Sequence, residues 1–183
     1  MSETEKPTSS ETGPETPQAG AKPVPTVSDI FGQVTWLMTQ SKGHRNFFVS
    51  DLEWMAMPPL LHRQFRIFPG KDQPLGVALW AKVSDEVAAR LSSGQNRLAP
   101  GDWNSGENFW LVELIAPFGH QDKMLADLQQ TVFAGKQVNM HMTGQDGKRS
   151  VTTLDQVLAN ARAAAEAAAA QQSASNGDAQ PVN

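Results

Sequence analysis

The chain contains no cysteine and no tyrosine. The first absence excludes disulfides, thiolate metal sites and a cysteine nucleophile. The second removes the phenol as a general acid, so histidine, aspartate and glutamate must supply any proton transfer. Positive charge is thin as well. Fifteen Lys and Arg stand against 19 Asp and Glu, giving a formal net charge of −4, and no basic run exists to follow a phosphate backbone. Nucleic acid is therefore not an expected partner. Long apolar stretches are also missing, since none approaches the roughly 20 residues that cross a bilayer. The opening Met1-Ser2-Glu3-Thr4-Glu5-Lys6-Pro7 leads into no apolar segment of the secretory kind. The expectation is a soluble, cytoplasmic protein without a membrane segment.

Large apolar residues are rare at both ends. Residues 1–26 are rich in Pro, Thr, Ser, Glu and Gly, so ordering them costs entropy that no burial returns, and a disordered tail is expected. Residues 159–183 begin Ala159-Asn160-Ala161-Arg162-Ala163-Ala164-Ala165-Glu166. That composition favours helix but offers little apolar stripe to dock, so this tail is expected to be partly helical or disordered. Between them, residues 27–158 suffice for one domain with a real core.

In that domain Val27, Ile30, Phe31, Val34, Leu37 and Met38 fall at the spacing of one buried helical face. Ser28 is the candidate cap and Gly43 the candidate left-handed stop. A second helix is predicted from Ser50-Asp51-Leu52-Glu53, broken by Pro58-Pro59. Gln64–Phe68 and Gly76–Ala81 read as a hairpin joined through Lys71–Pro74, and Ser84 as the cap of a short helix ending near Gly94. A Gly-, Ser- and Asn-rich loop follows over 93–108 and carries Trp103; a loop of that length inside a domain points to function. Phe109–Ala116 reads as a central strand, apolar on both faces. Then come a helix with Leu125, Leu128 and Val132 inward, stopped by Gly135, and a hairpin turning at Asp146-Gly147. The expected fold class is α/β (α+β), a mixed sheet flanked by helices.

Two positions invite chemistry. His44 lies in Ser41-Lys42-Gly43-His44-Arg45-Asn46, a short connection between two anchored helices, where an imidazole has little freedom and changes charge near neutrality. A solvated loop histidine is the plainer alternative. Glu113 is the single carboxylate of the central strand. A buried carboxylate needs a cation, a hydrogen bond or a proton, and such groups concentrate at active sites, although a structural ion pair would also serve. His44, His62, His120 and His141 show no metal-ligand spacing. No metal is expected.

The strings Gly32-Gln33-Val34-Thr35-Trp36-Leu37, Ser41 with His44-Arg45-Asn46, Asp102-Trp103-Asn104-Ser105-Gly106 and Ile115-Ala116-Pro117-Phe118-Gly119 occur in collinear order. Together they closely resemble the toxin-activating lysine acyltransferases, partners of the RTX haemolysins, from about Phe31 to the strands near Ser150. The resemblance implies a twisted mixed sheet like that of the Gcn5-related N-acyltransferases. It also implies transfer of a fatty acyl group from acyl carrier protein to internal lysines of an RTX protoxin, with haemolysis as the family's context and no cofactor beyond the acyl carrier protein co-substrate. His44 falls on the family's catalytic histidine and Ser41 on a nearby serine. Glu113 falls on the catalytic aspartate, a departure by one methylene. Ser41, Arg45, Asn46 and Trp103 are the expected substrate-binding residues. The chain lacks the Arg/Gln-x-x-Gly-x-Gly/Ala turn of acyltransferases that use coenzyme A.

A lysine attacks a thioester only as the neutral amine, and its reference pKa of about 10.4 keeps it protonated near neutrality. His44 is the expected base and Glu113 the group that orients or charges a neighbour. A covalent route through Ser41 or His44 stays open, as do a coenzyme A-dependent small-molecule N-acetyltransferase, a non-catalytic binding relative, and a homodimer.

Overall fold

A computed structural model describes residues 24–95, 97–144 and 147–176, without the side chains of 172–176. Its elements are α1 (Val27–Gln40), α2 (Val49–Met55), α3 (Met57–Leu61), β1 (Phe65–Pro69), β2 (Pro74–Val83), α4 (Asp85–Ser92), β3 (Asn108–Ile115), α5 (Gln121–Thr131), β4 (Val138–Thr143), β5 (Arg149–Thr153) and α6 (Leu154–Asn176). The strands form one sheet in the order β1-β2-β3-β4-β5, antiparallel throughout except for β3 with β4. The mixed α/β architecture is the one expected, consistent with an acetyltransferase-like fold.

The two sheet faces bury different elements. Val77, Leu79 and Ile115 pack with Val34, Leu37, Leu52 and Leu60 of α1–α3, and farther along the same face Ala81, Val83 and Trp110 pack with α4. On the other face Ala78, Trp80 and Leu111 meet Leu125 and Leu128 of α5 and Leu154 and Leu158 of α6. α6 runs through residue 158, so the expected boundary there falls inside a helix.

Local chemistry departs from the sequence reading at several element ends. Thr26, not Ser28, caps α1: its hydroxyl accepts from the Asp29 N–H, while the Asp29 carboxylate accepts from the Thr26 hydroxyl and N–H. Those bonds, the hydroxyl's first and the backbone's second, hold the Asp29 carboxyl below its usual range. Gly43 has no positive φ, because α1 ends instead on an extended Ser41 whose N–H reaches the Met38 carbonyl. The second helix starts at Val49 rather than at a Ser50 cap, with the Asp51 carboxylate accepting from the Phe48 N–H at 2.9 Å. Pro58 and Pro59 do more than end it. Prolines fit a helix's first turn, where their missing N–H costs nothing, and here they open α3. Ser84 caps α4 as expected, accepting from Val87 N–H at 3.3 Å. Of the Asp146-Gly147 turn, Asp146 lies outside the described residues, and Gly147 has a φ of 75°.

β3 controls the site. Its ladder with β2 pairs Leu79 with Glu113 but Trp80 with Leu111, so Val112 is an extra residue, a β-bulge. In a regular strand neighbours point to opposite faces. Here Val112 packs with the α4-side cluster, and Glu113 also reaches that face, toward the α1–α2 connection. The bulge thus gives two consecutive side chains one direction. On its other edge β3 pairs with β4 only at Phe109–Val138, Trp110–Asn139 and Leu111–Met140, and beyond Leu111 that pairing ends.

Candidate active site

His44 sits in the connection between α1 and α2. The Ser41 carbonyl accepts the N–H groups of His44 and Arg45 at 3.1 and 3.0 Å, and the Phe47 N–H donates to the His44 carbonyl at 3.0 Å. These bonds tie the turn down on both sides of the imidazole, whose side chain is 13% exposed. Both ring nitrogens are engaged. Nδ1 lies 2.7 Å from the Ser41 hydroxyl, and Nε2 lies 3.1 Å from Oε1 of Glu113.

The protonation pattern follows from the partners. An ionised carboxylate only accepts, so Nε2 of neutral His44 donates to Glu113, and Nδ1 is left to accept from the Ser41 hydroxyl. The basic nitrogen is therefore the one facing Ser41. Such a chain can take a proton at Nδ1 and spread the resulting positive charge toward a carboxylate.

Glu113 also joins this chain to a cleft. It lines a cavity of about 230 Å³ with Phe47, Trp54, Trp110, His141 and Arg149. On the sheet's other face a cavity of about 300 Å³ is lined by Leu114, Gln121, Asp122 and Met140, among others. Leu111, Val112, Glu113 and His141 line both, so the cavities share a wall where β3 parts from β4.

Of the residues singled out in the sequence, Ser41, His44 and Glu113 are brought together. Arg45 and Asn46 are exposed beside them, and of these five residues Glu113 alone lines the two cavities. Trp103 is 0% exposed in the cluster with Val83, Leu98 and Trp110 and does not itself line the cleft. Sequence reasoning missed three polar residues of the cleft, His141, Thr143 and Arg149. The His141 Nε2–H donates to the Leu91 carbonyl at 2.8 Å, and its ring lies 5.3 Å from that of Trp110. The buried Trp110 Nε1 has no acceptor among the described residues. No sequence signal marks these residues, because the parallel pairing of β3 with β4 spans an intervening helix. Among the described residues no three His, Cys, Asp or Glu side chains converge as metal ligands, and no helix is long and apolar enough to cross a membrane.

Two of the strings that carry the resemblance touch directly. Trp36 of α1 and Phe118, just past β3, bring their rings to 5.8 Å, which ties the helix preceding His44 to the strand bearing Glu113.

Comparison with known proteins identifies the family. The profile of the RTX toxin acyltransferase family matches residues 25–155. An uncharacterized protein of Synechocystis sp. is 34% identical over 122 residues, 66% of this chain and 83% of that one. The RTX-II toxin-activating lysine-acyltransferase ApxIIC of Actinobacillus pleuropneumoniae is 32% identical over 102 residues, 56% of this chain and 64% of its own length. The protein-lysine myristoyltransferase HlyC of Escherichia coli is 33% identical over 91 residues, 50% of this chain and 54% of its own. The matched stretch thus spans between half and two thirds of each of these two enzymes.

Proposed function

The chain belongs to the RTX toxin acyltransferase family and is an acyltransferase, and from that premise we propose that it moves a fatty acyl group from acyl carrier protein to the ε-amine of internal lysines in an RTX protoxin. The observation that carries this reading is the His44–Glu113 contact, made where β3 leaves β4 and a cleft opens.

In the proposed reaction His44 is the general base. The incoming lysine gives up its ammonium proton toward Nδ1, directly or across the Ser41 hydroxyl, while Glu113 holds the Nε2–H and offsets the charge that develops on the ring. The neutral amine attacks the thioester carbonyl, the C–S bond breaks, and the thiolate departs on the carrier's arm, taking up the second proton that the nitrogen sheds as the amide forms. A pyrophosphate-bearing donor is disfavoured by the connection after β3. Helix N-termini hold phosphates through free N–H groups and the helix dipole, but here Asp122 adds negative charge to the first turn of α5 and lines the cavity on that side.

A second reading is favoured by one distance, the 2.7 Å between Ser41 Oγ and His44 Nδ1. It lets His44 take the hydroxyl proton while Ser41 attacks the thioester, forming an acyl-serine that the lysine amine then cleaves.

Acyl transfer from labelled acyl carrier protein to a protoxin fragment tests both. His44→Ala should lower turnover by about 10²–10⁴-fold with thermal unfolding unchanged, and near-normal turnover would eliminate the base. Label retained on the protein in the absence of protoxin, and lost in Ser41→Ala, would select the covalent route.

A further inference from the structure

Three large apolar side chains stand in succession on the surface beside His44. Phe47 is 39% exposed, Phe48 77% and Val49 84%. They lead into α2, and its start does not need them: the Asp51 carboxylate accepts the Phe48 N–H, a backbone bond indifferent to the side chain. Apolar residues scattered singly on a surface are ordinary, whereas a contiguous patch marks a contact surface. This patch is continuous with the site. The Phe47 ring lies 5.5 Å from the His44 imidazole and also lines the cleft that holds Glu113.

Charge gives the patch a sign. Lys42 and Arg45 are exposed on the same connection and form no ion pair among the described residues. They are the only formally charged side chains from 41 to 50, in a chain whose net charge is −4. The next acid along the chain, Asp51, is already taken up by the Phe48 N–H and the Trp54 indole. An apolar centre with a basic rim fits a partner surface that offers apolar residues and an acid.

Reach decides which substrate that partner is. The ε-amine of a lysine stands about 6 Å from its Cα, so the acceptor's backbone must come up to the imidazole, and the residues flanking the lysine land on whatever surrounds it. The donor thioester arrives on an arm, and its protein can stand farther off. The exposed Val24 and Val27 cannot serve the acceptor in this way, because they lie at the start of α1, about 20 Å of helix from His44.

Resting on the acyltransferase reading above, we propose that Phe48 and Val49, with Lys42 and Arg45 at their rim, dock the segment of the acceptor protein around the target lysine. The patch selects segments that carry apolar residues and an acid within a few residues of that lysine.

The test uses the full chain and synthetic peptides with one central lysine. One peptide has flanking Leu and Glu, a second has each Leu replaced by Ser, and a third has Glu replaced by Lys. In acyl transfer from acyl carrier protein the wild type should prefer the first over the second by about tenfold in kcat/KM. It should prefer the first over the third by about two- to fivefold, and only at low salt. Phe48→Ser, at a site with little packing to lose, should erase the preference for Leu and leave thermal unfolding and the KM for acyl carrier protein unchanged. Lys42→Glu should reverse the preference for Glu, and Leu61→Ser, at an exposed site on α3, should alter neither. Fluorescence anisotropy of the labelled peptides reads docking without catalysis. If no peptide is acylated yet anisotropy shows the preference for Leu and its loss in Phe48→Ser, the docking surface stands and the transferase reading falls. A raised KM for acyl carrier protein in Phe48→Ser would give the patch to the donor instead. That result, a change confined to kcat, or peptides ranked alike by wild type and Phe48→Ser overturns the assignment, and with transfer intact the enzyme reading survives without it.

Discussion

The two halves of β3 differ in what holds them. Along Phe109–Leu111 the strand is hydrogen-bonded on both edges, to β2 and to β4, whereas Val112–Ile115 keeps only β2 and carries a bulge at its start. The first half is core. Trp110 and Leu111 are nearly wholly buried on opposite faces. The second half presents a carboxylate to a histidine and forms the shared wall of two cavities. A sheet has no room for a substrate where every strand is paired, so chemistry is placed where pairing ends, and the bulge sets the direction in which the freed strand aims its acid.

The most severe way to break that comparison is to move the carboxylate by one residue in either direction. The double variant Glu113→Leu with Leu114→Glu sends the acid to the α5–α6 face, where Leu114 packs, and acyl transfer should fall by about 10²–10³-fold. The opposite exchange, Val112→Glu with Glu113→Val, keeps the acid on the His44 face because of the bulge, and should retain about tenfold more activity than the first. Equal losses in the two would show that the bulge does not govern direction. Glu113→Asp, which keeps the charge on a shorter arm, should be tolerated better than Glu113→Gln.

A smaller effect is expected on the closed side of the sheet. Trp103 sits beside β2, where its carbonyl accepts the Lys82 N–H at 2.9 Å and Asn104 bridges to Lys82, and its side chain is 0% exposed. Trp103→Phe removes part of a filled space, so it should lower stability by about 1–3 kcal/mol and leave the KM for either substrate unchanged. A raised KM with unchanged unfolding would return Trp103 to the substrate-binding role that its Gly-rich loop suggests.

Trp103 also shows where the sequence becomes opaque. Periodicity exposes a helix's inward face, so Val34, Leu37 and Met38 or Leu125 and Leu128 are legible from their spacing alone. A long loop gives no such period, and nothing in it marks its tryptophan as a buried core residue. His44 and Glu113 are each visible from their surroundings and the family resemblance sets them side by side, but no local spacing shows the bulge that turns Glu113 toward the imidazole. His141 and Arg149 stay hidden for a related reason: parallel strands pair across a helical crossover, and no local spacing reports which residues then share a gap. Element ends are opaque for a different reason. Thr26 and Ser28 are both acceptable caps by type, and only the reciprocal bonds with Asp29 decide between them.

The smallest expected effect lies at that cap, the end of α1 remote from His44. The Asp29 carboxyl is held below its usual value of 3.8, first by the Thr26 hydroxyl and then by the Thr26 N–H. A carboxylate favoured in the folded state contributes stability that is complete above the unfolded value, and that stability is lost as pH falls through the lowered folded one. Asp29→Asn should therefore lower the melting temperature slightly at neutral pH. The gap from the wild type should close as the pH is taken below about 4. Transfer activity at neutral pH should not change, since the turn at Ser41 is held by its own backbone bonds. Loss of activity in Asp29→Asn would mean that fraying at one end of α1 reaches the imidazole at the other, and that the site depends on the whole helix rather than on the turn that closes it.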